Sequence, residues 1–122
     1  MAKKESFFVN RIKSVGFAFK GAFLLLKTES SIKIQFVIAI LVTAAGFYFD
    51  ISSTEWCLQI LAIAFVMGIE GVNTAIEDMA NFIHPEFHTK IGIIKDIAAG
   101  AVFIASVFAI IIGLIIYIPK IF

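Results

Sequence analysis

Ile97–Ile118 reads IAAGAVFIASVFAIIIGLIIYI, 22 residues in which Ser106 is the one polar side chain once Tyr117 is counted with the aromatics. As a helix rising 1.5 Å per residue this run spans about 33 Å, enough for the roughly 30 Å hydrocarbon layer of a bilayer. Two further apolar runs precede it. Ile34–Phe49 is interrupted by Gln35, Thr43 and Gly46 and stopped by Asp50; Trp56–Ile69 is broken by Gln59 and Gly68 before Glu70. Backbone groups in lipid must bond internally, which leaves helices, since no segment alternates like a barrel strand. Composition agrees. The chain is 61% hydrophobic and 16% charged, against roughly 45–50% and about 25% in a soluble domain. A chain of 122 residues cannot hide that much apolar surface in one core, and disorder requires a polar, charge-rich composition. The lone Cys57 excludes an intramolecular disulfide or a multi-cysteine metal site. A net charge of +1 argues against nucleic acid. The reading is an all-α membrane protein, one membrane-embedded unit over 1–122.

Its organisation follows from the breaks. Ser52 with Glu55 three residues on is a capping box opening a helix, and Pro85 ends it. Helices are expected at 5–28, 31–49, 53–83 and 96–118, the last three transmembrane, with Asn81–Ile94 as a connecting segment. At about 46 Å, the 53–83 helix is longer than the bilayer and should emerge into water. In the first helix Phe8, Ile12, Val15, Phe19, Phe23 and Leu26 share a face, and Lys13, Lys20 and Lys27 form a separate stripe. That pattern suits an amphipathic helix lying in the interface; a water-exposed arm is the plainer alternative. Three crossings put 1–33 and 77–96 on one side, with nine of the ten basic residues; Lys120 stands on the other. The positive-inside rule makes the first side, and the N-terminus, cytoplasmic.

An ionisable side chain within a spanning helix costs about 2.5–3.5 kcal/mol on insertion scales. Glu70 lies about 21 Å along its helix from Trp56, inside or just below the cytoplasmic interface. Asn73 and Glu77 follow on the same face, within a wedge of roughly 60°. Glu77 alone could be a solvated helix end, but Glu70 is too deep for that. Lys95–Asp96 form a second cluster before the last helix, where Asp96 suits a helix N-terminus and Lys95 an interfacial anchor. The small run Ala98–Ala101 suits close helix packing. Glu29, read by itself, is an ordinary acid near a helix start. Carboxylates at Glu29 and Glu77 could nevertheless hold Mg²⁺, which takes one or two protein carboxylates plus phosphates and water. Lys95 could neutralise phosphate oxygens, and Glu70 could take a proton from a lipid hydroxyl. The residues permit phosphoryl transfer to a membrane-borne alcohol without demanding it. No P-loop or protein-kinase motif is present, and His84 and His88, split by Pro85 with no cysteine nearby, are a poor zinc site. Trp56 and Tyr117 are read as interfacial anchors.

Glu70-Gly71-Val72-Asn73-Thr74-Ala75-Ile76-Glu77 resembles the E-x-x-N-[ST]-A-I-E signature of the prokaryotic diacylglycerol kinase family, which includes the undecaprenol kinases. Lys95-Asp96-Ile97-Ala98-Ala99-Gly100-Ala101-Val102 resembles the family's second block, and the likeness runs over about residues 10–118. The resemblance implies an ATP- and magnesium-dependent lipid kinase in the bacterial cytoplasmic membrane, a homotrimer with three transmembrane helices and a surface helix per subunit. It implies Glu70 as catalytic base and substrate contact, with Glu29 and Glu77 as metal and ATP ligands. Asn73, Glu86, His88, Lys95 and Asp96 would line the ATP site. Phe17 stands at an ATP-site position where diacylglycerol kinases often carry Tyr, and Ala99 at a lipid-substrate position where they carry Ser. Asn10 and Ala18 replace an Arg and a Ser, and Asn81 replaces an acid. The Asn-Thr-Ala-Ile-Glu and Ala-Ala-Gly-Ala-Val forms lean toward the undecaprenol branch. The rival reading is a non-enzymatic assembly or accessory subunit whose buried acids join helices; an ion or small-solute conduit has little support.

Overall fold

A computed structural model describes residues 6–122, and over them the chain is all helix and turn. The elements are α1 (Phe7–Thr28), α2 (Ser30–Tyr48), α3 (Ser53–Ile83) and α4 (Thr89–Ile121). Residue 5, the expected start of the first helix, lies outside the described residues, and Ser6 caps α1 by accepting from the Val9 amide at 3.2 Å. α2, α3 and α4 are long and apolar enough to cross a membrane, and α1 is not among them.

Each junction has a local cause. One residue, Glu29, separates α1 from α2: its extended backbone (φ −95°, ψ 116°) closes the first helix and opens the second. α2 ends in a Schellman turn. The Ile51 amide donates to Gly46 O at 3.1 Å and the Asp50 amide to Phe47 O at 3.3 Å. Asp50 takes the left-handed conformation (φ 51°), which a short polar residue tolerates better than most non-glycine residues. Gly46 is required here for a second reason, since a methyl group in its place would come within 2.6 Å of the Trp56 ring. α3 opens with the capping box anticipated from sequence: Ser52 Oγ accepts from the Glu55 amide and Glu55 Oε1 from the Ser52 amide. It stops at His84 because the residue before a proline is driven out of the helical region.

The connecting segment and the last helix need correction. Asn81–Ile83 belong to α3, and α4 starts at Thr89 rather than 96, so the connection is only residues 84–88. His88 supplies a cap that charge and proline patterns did not reveal, its Nδ1 accepting from the Lys90 amide at 3.0 Å. Gly92, read as a loop signal, is a helical glycine beside the Phe87 ring. At the other end α4 runs on to Ile121 rather than 118. Pro119 falls in its last turn, where the amide that proline lacks would have met a single carbonyl, and Phe122 still donates to Ile118 O.

α3 and α4 make the main helix pair, α2 packs more sparsely on α3, and α1 meets α2. Ala80 on α3 and Ala98 and Ala105 on α4 are buried, small enough to let backbones approach. At 31 and 33 residues, α3 and α4 run about 46 and 50 Å. Both exceed a bilayer, and their joined ends project beyond it at residues 84–88. Few large side chains are enclosed: Ile32, Ile51 and Ile116 are, whereas Phe36, Phe65, Phe103 and Phe108 face outward. Exposure of that kind suits hydrocarbon or neighbouring subunits, not water. α1 has no buried residue, and the aromatic members of its apolar stripe, Phe8, Phe19 and Phe23, are open.

Between α2, α3 and α4 runs an apolar cleft of about 330 Å³. Its lining includes Ala39, Ala62, Ser106, Ala109 and Gly113, residues too small to fill the space. Gln59 marks one end and Gln35 the other. At the Gln59 end, Tyr117 is no mere interfacial anchor: its hydroxyl donates to Gln59 Oε1 at 2.5 Å and lies 3.1 Å from Val42 O. Gln59 Nε2 donates to Val42 O at 3.2 Å, and Lys120 pairs with Glu55 at 3.0 Å. Trp56 packs on Phe47 with ring centroids 4.9 Å apart.

Candidate active site

The acid stripe expected on α3 is formed and mostly enclosed. Glu70 is 8% exposed and Asn73 9%, with Glu77 partly open one turn farther on. Asn73 clamps the two acids together: its single amide nitrogen donates to Glu70 Oε2 at 3.3 Å and to Glu77 Oε1 at 3.2 Å. One NH₂ has two hydrogens, and i−3 and i+4 neighbours on a helix lie on either side of it, so the spacing itself builds the clamp. Thr74 donates its hydroxyl to Glu70 O at 3.1 Å, inside the helix. Gly71, next to Glu70 in the chain, leaves room for Leu25 of α1, which lies 3.0 Å from where a methyl group would be. α1 therefore touches α3 at Gly71, just ahead of the Glu29 break.

One further participant comes from α2. Gln35, counted only as an interruption of an apolar run, donates its Nε2 to Glu70 Oε1 at 3.2 Å. A lone Gln with no partner in its own segment gives no signal until the helices are packed. The arrangement ends with two loose atoms: Gln35 Oε1 and Asn73 Oδ1 are shielded from solvent and have no hydrogen-bond partner. Leaving a buried acceptor unmet costs about 1–3 kcal/mol. Among the described residues neither Glu70 nor Glu77 pairs with a lysine or arginine. The site is thus rich in acceptors and short of positive charge, which is the chemistry of a cation or donor-bearing ligand.

Glu29 is half-buried and its carboxylate makes no cap hydrogen bond, which leaves it available as a ligand. Among the described residues no three His, Cys, Asp or Glu gather to hold a metal. The donor set fits a hard cation that draws only one or two carboxylates from protein and completes its shell with phosphate and water. It does not fit an all-protein cage.

A second group assembles at the projecting end. Glu86, Lys95 and Asp96, with His84, line a hollow of about 280 Å³ under the 84–88 turn. Lys95 Nζ donates to Asn81 Oδ1 at 2.5 Å, tying the first turns of α4 to the last of α3. His84 Nδ1 donates to Glu86 O at 2.7 Å and holds the turn. His88 is beside this hollow, with Nδ1 committed to capping α4. Asn81 and His84 were likewise unassigned from sequence. Two expected site residues stand apart: Phe17 is 71% exposed on α1, and Ala99 faces outward on α4 while its neighbour Ala98 is buried.

Residues 16–117 match the prokaryotic diacylglycerol kinase family along their length, including both signature blocks. The chain belongs to that family. The undecaprenol kinase of Bacillus subtilis (strain 168) is 35% identical over 108 residues, 88% of either chain. The diacylglycerol kinase of Escherichia coli (strain K12) is 30% identical over 111 residues, 91% of either chain. A diacylglycerol kinase of Haemophilus influenzae is 28% identical over 94 residues, covering 77% of this chain and 80% of its own. Members of the family are lipid kinases, hence transferases, and the three apolar helices place the chain among membrane proteins. The family gives the acid stripe its context: it holds the most buried charged side chain among the described residues, Glu70, and lies within the matched residues.

Proposed function

We propose that the chain is an ATP-dependent lipid kinase that transfers the γ-phosphoryl group to a lipid hydroxyl at the cytoplasmic face. The observation that carries this reading is the Glu70–Asn73–Glu77 clamp, acceptor-rich, buried at Glu70 and Asn73, and met by no lysine or arginine among the described residues, within a chain of a lipid-kinase family.

Glu70 is the general base. It sits at the head of an apolar cleft, where a lipid alcohol can come without leaving hydrocarbon, and two amides hold its oxygens. Glu29 and Glu77 would hold Mg²⁺, which when bound would supply positive charge to offset that of the phosphate oxygens. Lys95, Asp96, Glu86 and His88 face the nucleotide from the projecting end of α3 and α4; Phe17 and Ala99, which stand apart from them within one chain, would meet nucleotide and lipid only across a subunit contact. Asn73 fixes the relative position of base and metal ligand. Phosphoryl transfer needs little covalent help from protein, so positioning and charge neutralisation supply most of the rate.

The single chain supplies too few groups to enclose a nucleotide triphosphate, and much of its apolar surface is unmet. A homotrimer whose subunits share sites answers both deficits. α1, apolar yet with nothing buried, lies in the interface, with the N-terminus on the cytoplasmic side. The lipid is undecaprenol or diacylglycerol, and the somewhat higher identity to an undecaprenol kinase favours the former.

The test is phosphate transfer from radiolabelled ATP to undecaprenol and to diacylglycerol, offered separately to purified protein with and without Mg²⁺. Transfer to one lipid, lost without Mg²⁺ and in Glu70→Gln, is expected. No transfer to either lipid would favour the accessory-subunit reading, in which the oligomer falls apart on neutralising Glu70.

A further inference from the structure

Gln35 is the polar side chain that α2 brings to Glu70, and the reaction described above gives it no task. Its counterpart is Gln59, at the other end of the same cleft. Gln59 is tied at both atoms, its Nε2 to Val42 O and its Oε1 to the Tyr117 hydroxyl. Full satisfaction is what a glutamine kept for packing requires among apolar helices. Gln35 is tied at one atom only, the Nε2 at 3.2 Å from Glu70 Oε1, while its Oε1 is shielded and unpartnered. The orientation is forced. Turning the amide over would set its carbonyl against a carboxylate oxygen, two acceptors in contact.

We propose that Gln35 is a positioning residue for the lipid kinase reaction: it holds one oxygen of Glu70 from α2 while Asn73 holds the other from within α3. Two hydrogen bonds to different oxygens fix the plane of the carboxylate as well as its place. One bond would leave it free to rotate about its last side-chain torsion. Because the two holders stand on different helices, the carboxylate's direction depends on how α2 seats against α3, where the cleft opens. The inference rests on Glu70 being the base.

Its effect belongs in turnover, not in nucleotide binding, since Gln35 lines the apolar cleft and not the hollow at the projecting end. The test compares wild type, Glu70→Gln, Gln35→Met and Gln35→Asn as purified full-length protein, measuring kcat, KM for ATP, oligomer size and melting temperature. Methionine keeps the length and removes the amide, including its loose carbonyl. Asparagine keeps the amide and draws it back by one methylene. Both should lower kcat about tenfold or more, as small misplacements at a reacting centre do, with KM for ATP, oligomer and melting temperature unchanged. Wild-type kcat in Gln35→Met overturns the proposal, as does a fall in melting temperature that accounts for all the lost activity. If Gln35→Met does not assemble, Gln35→Asn is judged by the same criteria. Activity persisting in Glu70→Gln would instead refute the assignment of the base, so the two failures are separable.

Discussion

The two ends of the cleft use the same residue types for opposite ends. Around Gln59, an amide, a phenol and a main-chain carbonyl satisfy one another, and a lysine answers the nearby glutamate. Around Glu70, two amides serve two carboxylates, no cation answers them among the described residues, and two carbonyl oxygens are left over. In an apolar setting a closed polar network adds rigidity, whereas an open one carries a standing cost that only a ligand relieves. The difference separates a part of this molecule whose polar groups satisfy one another from the part where the proposed chemistry would take place.

Substitutions at either end should therefore fail in different ways. The largest effect is expected from Glu70→Gln, which should lower lipid phosphorylation about 10²–10⁴-fold, the usual range for a lost general base. Oligomer size and melting temperature should stay near wild type; a variant that unfolds instead would make the acid a structural element and erase the contrast. Tyr117→Phe should do the reverse. It strands Gln59 Oε1 and should cost about 1–3 kcal/mol of stability, seen as a lower melting temperature with kcat per folded protein intact. Ser52→Ala, which breaks the capping box of α3, should cost about 1 kcal/mol and also spare turnover. Smallest is Lys120→Met. The Lys120–Glu55 pair is solvent-accessible and such pairs contribute little, so neither melting temperature nor rate should move measurably. A large effect there would mean that the Gln59 end is less closed than its hydrogen bonds imply.

Much of this was legible residue by residue. The 22-residue run from Ile97 announces a membrane helix, the Ser52–Glu55 spacing announces a helix start, and Glu70, Asn73 and Glu77 at i, i+3 and i+7 announce a shared face. All are local periodicities. The start of α4 at Thr89 was not legible, because His88 caps the helix with a ring nitrogen and Gly92 reads as a breaker unless Phe87 is seen against it. Gln35 and Gln59 were indistinguishable, each one glutamine in an apolar run. Asn81 looked like a lost acid until Lys95, 14 residues on, was found bonded to it. Partners 35 and 58 residues apart, as in Gln35–Glu70 and Gln59–Tyr117, leave no mark on local pattern.

By itself the sequence determined that this chain lives in a bilayer as helices and that one helix carries an acid stripe into it. Helix periodicity and the expense of charge in hydrocarbon act over a few turns, and both are written in the order of residues. Which glutamine is tied at both atoms and which bonds Glu70 was decided only by tertiary packing. Hydrogen bonds between helices depend on the register with which α2 and α4 seat against α3, and that register is set by small residues, a tight turn at Asp50 and a tryptophan ring over Gly46.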